Sequence, residues 1–210
     1  MKLNLLSLVL ASSAALFAGC GSNGPSSSQG GDGQGALSEA EVDSLLFSRE
    51  EEKLARDVYL AHADLGVPFT EISDAEQNHM DAILVLLDRH GLDDPAEGQP
   101  QGAFVDPSLA ELYATLMTEA ADSPMAALGV GATIEEVDIR DLQAARPFID
   151  NTDILSTYDN LERGSRNHLR AFYGQIVASG GAYTPQYLAA DAFDAIVTTP
   201  VERGPGAKHH

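Results

Sequence analysis

Ala75-Glu76-Gln77-Asn78-His79-Met80-Asp81-Ala82-Ile83, continued by Leu84-Val85-Leu86-Leu87, decides how the rest of the chain is read. At about 100° per residue on a helix, Glu76, His79, Ile83 and Leu87 share one face while Asn78 and Asp81 point elsewhere. A carboxylate and an imidazole then stand one turn apart inside an apolar stripe. Ionised groups buried in that way are costly unless they are paired or hold a cation. Glu-x-x-His on a core-facing helix is the half-site that carboxylate-bridged di-iron and di-manganese bundles use. A local reading competes for Glu76: with Ser73 as cap, Glu76 is the third position of a capping box that opens the helix at Ser73. That reading leaves His79 unexplained.

The flanking stretches decide between them. Upstream, Ser38 with Glu41 three residues on is a capping box that starts a helix running to about Asp64, before Gly66 and Pro68 stop it. Its inward side carries Leu45, Glu52, Ala55, Tyr59 and Ala63, so Glu52 is a carboxylate within the stripe. Glu50 and Glu51 precede it in a charge run expected to be solvated. Downstream, 91–107 is rich in Gly, Pro, Asp and Gln and forms the long crossover connection that some bundles require. A short helix follows from Pro107 to about Ala120, with Leu109, Leu112, Tyr113 and Leu116 as its apolar side. Ser123-Pro124 caps the next long helix, which continues to about Arg146. There Glu135 and Asp138 lie one turn apart in or beside the stripe, Asp141 also falls within it, and Glu136 points away. Three acidic groups so crowded should repel one another and resist ionisation. Relief must come from a cation or from arginine, with Arg56, Arg166 and Arg170 as the candidates.

The last long helix, about Thr152 to Ala178, has a stripe of Ile154, Tyr158, Leu161, Ser165, His168, Leu169, Phe172 and Ile176. His168 lies inside it with Ser165 one turn before. Gly164 in mid-helix costs about 1 kcal/mol relative to alanine and points to close approach of a backbone or ligand. After Gly180-Gly181, Tyr183 to Leu188 and a short helix near Ala189 to Val197 are expected to fold back on the bundle.

The ends of the chain read differently. Residues 1–19 have a Lys2 n-region and an apolar Leu5–Phe17 core, and they end in Phe17-Ala18-Gly19-Cys20. This resembles a bacterial lipobox, with Cys20 the lipidated residue; an ordinary signal peptide with a stray cysteine is the alternative. Residues 20–36 are a Gly/Ser-rich tether, 37–199 the folded bundle, and 200–210 a tail. Cys20 is the single cysteine of the 210-residue chain, which excludes disulfides and cysteine-ligated zinc or iron–sulfur sites from the fold. With 32 acidic and 12 basic residues, the net charge of -20 disfavours nucleic acid and anionic membrane surfaces. The expected location is the cell envelope, anchored by lipid only.

Glu52, Glu76, His79, Glu135, Asp138 and His168 therefore come from four separate helices to one buried side. Four carboxylates and two imidazoles suit a pair of hard-to-borderline ions, iron first and manganese second. Two resemblances add to this reading. Glu52-Lys53-Leu54-Ala55-Arg56-Asp57-Val58-Tyr59, Glu76-x-x-His79 and Glu135-x-x-Asp138 resemble the metal-binding helices of rubrerythrins. The whole folded region is more similar to the ferritin-like family catalogued as domain of unknown function 2202. The stretches that carry this second likeness are Arg56 to Tyr59, Glu76 to Asp81, Ile134 to Leu142, Gly164 to Phe172 and Tyr183-Thr184-Pro185.

These resemblances imply an all-α, ferritin-like four-helix bundle with a short extra helix in the crossover and a short C-terminal helix. They also imply a dinuclear site, while the family carries no established activity; the leading expectation is that the site reacts with peroxide or dioxygen, as an oxidoreductase or peroxidase, or binds iron. Tyr59 would orient a ligand carboxylate from behind. Ser165 stands where rubrerythrins place a glutamate, so one carboxylate is missing. The four-cysteine iron module of rubrerythrins is missing too, so redox cycling would need an external electron donor. A homodimer is compatible with the pattern. The rival reading is a metal-free envelope interaction bundle whose buried carboxylates pair with arginine.

Overall fold

The computed structural model describes residues 36–204; the expected signal peptide, Cys20, nearly all of the expected tether and the end of the expected tail lie outside them. Six α-helices follow in order: α1 (Glu39–Ala61), α2 (Phe69–His90), α3 (Pro107–Ala120), α4 (Pro124–Ala145), α5 (Thr152–Ala178) and α6 (Ala190–Val197). Among the described residues there is no strand, and no helix is long and apolar enough to cross a membrane.

The four long helices form the bundle, with α1 packed chiefly on α2 and α4 on α5, while α3 rests on α4 and α1. Their apolar residues gather in two clusters. Leu45, Ile83, Leu87, Leu142, Tyr158 and Leu161 belong to one, and Tyr59, Phe69, Ile72, Ile134, Leu169 and Phe172 to the other. Helices α1 and α5 run from the first cluster to the second, and α2 and α4 run the opposite way. On α1, α2 and α5 the candidate ligands fall between the two clusters, and on α4 Glu135 and Asp138 lie alongside the second, whose Ile134 and Ile139 flank them, so a polar layer sits among apolar residues. Close contact of α4 and α5 depends on Gly131, where an added Cβ would stand 2.4 Å from the Phe172 ring.

The helix starts follow their caps where a cap exists. Ser38 Oγ accepts from Glu41 N at 3.3 Å, and Glu41 Oε2 accepts from Ser38 N at 2.8 Å. Glu41 Oε1 also accepts from Asn151 N at 2.8 Å, which ties the start of α1 to the start of α5. Helix α2 departs from expectation. It begins at Phe69, one turn before Ser73, and the Ser73 hydroxyl donates to Thr70 O from within the helix. The reason is tertiary: Phe69 and Ile72 are buried against Tyr59 and Phe172, and that burial extends the helix backward past its local cap signal. Glu76 therefore caps nothing.

A second departure concerns Glu50 and Glu51, which are buried rather than solvated. The crossover lies over this side of α1 and is held there by polar side chains. Glu50 accepts from Val105 N at 2.6 Å and Asp106 N at 2.8 Å. Lys53 Nζ donates to Asp57 at 2.5 Å and to Pro100 O at 2.9 Å, and Asp57 accepts from Gly102 N at 2.8 Å.

The C-terminal segment folds back as expected. Fully buried Glu136 accepts from Tyr183 OH at 2.5 Å and from the amides of Gln186, Tyr187 and Leu188 at 2.8 to 3.0 Å. Further on, Glu202 takes a fork from Arg166 at 2.8 and 2.6 Å and a contact from Arg170 at 2.8 Å. The Arg166 fork, aided by Arg170 against a smaller opposing effect of burial, holds the Glu202 carboxyl down at about 2.

Two outcomes follow from these latches. Glu136→Ala leaves three amides and a phenol without their acceptor and should lower stability by about 2–4 kcal/mol in urea unfolding; an unchanged midpoint would show that the segment is not anchored there. For Glu202 the folded pKa lies below the ordinary 4.5, so its stabilisation is full above that value and is lost as pH falls towards about 2. Glu202→Gln should therefore melt below the wild type at pH 7, with the gap closing between about 4.5 and 2. A gap that stays constant over that range would contradict the assignment.

Candidate metal centre

Glu52 on α1, Glu76 and His79 on α2, Glu135 and Asp138 on α4 and His168 on α5 meet in the polar layer, and all four carboxylates are buried. His79 Nδ1 stands 2.8 Å from Glu76 Oε2 and 3.2 Å from Glu52 Oε2. His168 Nδ1 stands 2.8 Å from Glu76 Oε1 and 3.5 Å from Glu135 Oε2. The two imidazole rings stack with centroids 5.4 Å apart. Two sets of donor atoms result, each lying within 4.8 Å of one another: Glu52, Glu76 and His79, and Glu76, Glu135 and His168. Glu76 is common to both, offering one oxygen to each histidine.

Asp138 stands outside both sets, where the Ser165 hydroxyl donates to it. Tyr59 OH donates to Glu135 Oε1 at 2.5 Å, so the phenol orients that carboxylate from behind. None of the three candidate arginines reaches the layer. Arg56 binds Asp57 and Gln77, Arg166 binds Glu162 and Glu202, and Arg170 binds Glu202. Relief by arginine, the alternative to a cation, is absent because these guanidiniums are taken up outside the layer by Asp57 and Gln77, by Glu162 and Glu202, and by the Ile196 and Thr199 carbonyls.

Proximity without complete pairing marks the layer. Glu52 Oε1, Glu76 Oε1 and His168 Nδ1 are fully buried and have no hydrogen-bond partner. The 2.8 Å approach of His168 to Glu76 thus lacks hydrogen-bond alignment. Buried polar atoms in folded proteins are almost always satisfied, so three orphans side by side need a cause.

The electrostatics follow from that crowding. Burial, then the Glu76 charge, raises Glu135 to about 7, and burial, then the Glu135 charge, raises Asp138 to about 7. Burial and the nearby Asp138 push Glu52 well up. Glu76 goes the other way: burial opposes ionisation, but the charges of His168 and His79 outweigh it and hold the carboxyl well below the usual range. Burial would lower both imidazoles, yet Glu76 and Glu135 lift His168 to about 10, and Glu52 and Glu76 lift His79 well above its ordinary value.

Two further residues complete the surroundings. Gly164 has no room for a side chain, since an added Cβ would stand 2.4 Å from His79 Nε2. The bare α5 backbone lies against the outer edge of that ring and keeps Nδ1 turned towards Glu52 and Glu76. The mid-helix glycine was the sequence signal for this approach. Glu51 had no such signal. It sits buried next to the layer, and the packing of α3 and α4 against α1, with Leu112, Leu116, Ile134 and Val137 around it, puts it there.

Alanine at a mid-helix glycine ordinarily gains up to about 1 kcal/mol. Gly164→Ala should instead lose about 1–3 kcal/mol, because it drives a Cβ into the His79 ring. Chemical denaturation checks the sign; a gain in stability would show that the contact does not exist.

Comparison with known proteins places this geometry in a family. The family model for an uncharacterized protein domain, DUF2202, matches residues 41–200. The uncharacterized protein MJ0754 of Methanocaldococcus jannaschii is 43% identical over 171 residues, covering 80% of this chain and 92% of that protein. The crystal structure of the hypothetical protein MJ0754 from Methanococcus jannaschii aligns with a TM-score of 0.78 at 40% identity, over 82% of this chain and 100% of the other. Likeness of this extent shows that the chain belongs to the DUF2202 family.

Proposed function

We propose that this is a ferritin-like protein with a carboxylate- and histidine-ligated dinuclear metal centre, with iron as the first choice and manganese as the second. Glu52, Glu76 and His79 would hold one ion, and Glu76, Glu135 and His168 the other, with Glu76 shared. The observation that carries this reading is the orphaned trio of Glu52 Oε1, Glu76 Oε1 and His168 Nδ1, buried among donor atoms already at mutual co-ligand distances. The donor chemistry fits. Oxygen and imidazole ligands suit hard-to-borderline divalent ions. Four ionised carboxylates would also balance the charge of two such ions, a compensation that no arginine provides.

With iron bound, the centre supplies redox chemistry towards dioxygen or peroxide, or a place to hold iron. The chain's own residues do the rest. Glu76 spaces the two sets, and Tyr59 and Ser165 fix the lone-pair directions of Glu135 and Asp138. Gly164 sets the His79 ring. The two apolar clusters keep water from the layer. No cysteine is present beyond Cys20, so electrons for turnover would come from a separate donor. Lipidation at Cys20 and the tether behind it would hold the bundle at the cell envelope.

Elemental analysis of protein purified aerobically from iron-replete cells tests the centre. About two ions per chain are expected in the wild type and a clear loss in His79→Ala; less than about a tenth of an ion in both would end the proposal. Added metal should also raise the melting point, by the equivalent of about 2.7 kcal/mol at a hundredfold excess over the dissociation constant. Chelator should reverse the gain. A melt indifferent to both would favour the metal-free interaction bundle.

A further inference from the structure

Glu51 is a buried carboxylate that the centre does not use. It is 5% exposed, and its Oε1 has no hydrogen-bond partner. It faces α4 across a small cavity that it lines with Leu54, Leu112, Leu116, Thr133, Ile134 and Val137, and the charges of Asp141, Asp138 and Glu52 act on it. Asp138 and Asp141 are one turn apart on α4, and Glu52 adjoins Glu51 on α1. The carboxylates also step inward. The Asp141 side chain is 24% exposed, Glu51 and Asp138 are buried, and Glu52 belongs to the first donor set.

A row of acids from solvent to a polar layer would be unfavourable by itself, since each carboxylate raises the cost of ionising the next. One cation already answers it at the outer end. Arg140 grips Asp141 with Nε at 2.7 Å and Nη2 at 2.9 Å, lies over the Tyr187 ring at 4.9 Å and senses the Glu51 charge. The side chain is 34% exposed, so the guanidinium and its partner carboxylate stand where an ion from solvent can reach them.

We propose that Asp141, Glu51 and Asp138 form a transfer site that passes divalent cations from solvent to the Glu52–Glu76–His79 set, with Arg140 as the surface cation an incoming ion displaces. The proposal rests on the dinuclear reading above, but it concerns the rate of filling rather than the capacity. An acid at the mouth captures the hydrated ion, the orphaned Glu51 oxygen takes over part of its shell, and Asp138 and Glu52 hand it on. Asp138, tethered by Ser165 outside both donor sets, is placed for that step rather than for permanent ligation.

Stopped-flow mixing of the metal-free full chain with cobalt(II), following the visible absorbance of bound cobalt and the final stoichiometry, tests it. Wild type, Glu51→Gln, Asp141→Asn and Arg140→Gln should all bind the same number of ions at equilibrium. Glu51→Gln and Asp141→Asn should fill about tenfold more slowly, the scale on which local charge focusing acts on capture rates. Arg140→Gln should fill faster. Wild-type rates in both acidic variants overturn the proposal, and Asp141→Asn decides alone should Glu51→Gln not fold. A lower stoichiometry in Glu51→Gln overturns it too, by making Glu51 an ordinary ligand. Absence of cobalt binding by the wild type removes the centre itself, and the route with it.

Discussion

The structure depends on one constraint: four buried carboxylates and two largely buried imidazoles are held in a layer flanked by two apolar clusters. Hydrophobic packing above and below that layer keeps it assembled, because Leu45, Ile83 and Leu142 on one side and Tyr59, Ile134 and Phe172 on the other bring the same four helices together. Without that packing the charges would seek water. With it, they must find compensation in one another or in a cation, which is why Glu76 is strongly ionised while Glu135 and Asp138 resist ionisation.

Much of the surrounding architecture can be understood as keeping other polar groups out of this layer. Lys53, Asp57 and Glu50 on α1 are all buried, yet they face the crossover and are consumed by its backbone. Glu136 is as buried as Glu135 and one residue away, but it turns to the C-terminal segment and satisfies three amides and a phenol there. Arg166 and Arg170, on either side of His168, are taken up by Glu202. A helix that alternates between two buried polar environments keeps each charged side chain in one of them, and the latched segments make that possible.

Legibility in the sequence varied with how local the cause was. The Ser38 cap, the Pro107 and Pro124 starts and the Gly91 to Pro107 crossover are set by neighbours within a turn, and they were readable. The start of α2 was not, because Phe69 and Ile72 are drawn into the core by residues far along the chain, overriding the Ser73 signal. Glu50 and Glu51 were misread as solvated for the same reason: a charge run looks alike whether water covers it or, as here, a loop over Glu50 and helices α3 and α4 over Glu51. Helical period placed Glu52, Glu76, His79, Glu135, Asp138 and His168 on inward faces, but it could not separate Asp138, held aside by Ser165, from the five that form the two donor sets.

The residue order by itself determined the number of the helices, the starts of α1, α3 and α4, and the inward faces that carry the candidate ligands, since these depend on a 3.6-residue repeat and on caps a few atoms away. Only the tertiary structure decided that Glu76 is shared between two histidines, that Gly164 clears space for one of them and that the arginines stay outside. Those outcomes depend on distances between helices, which are set by how side chains from four segments fill a common volume.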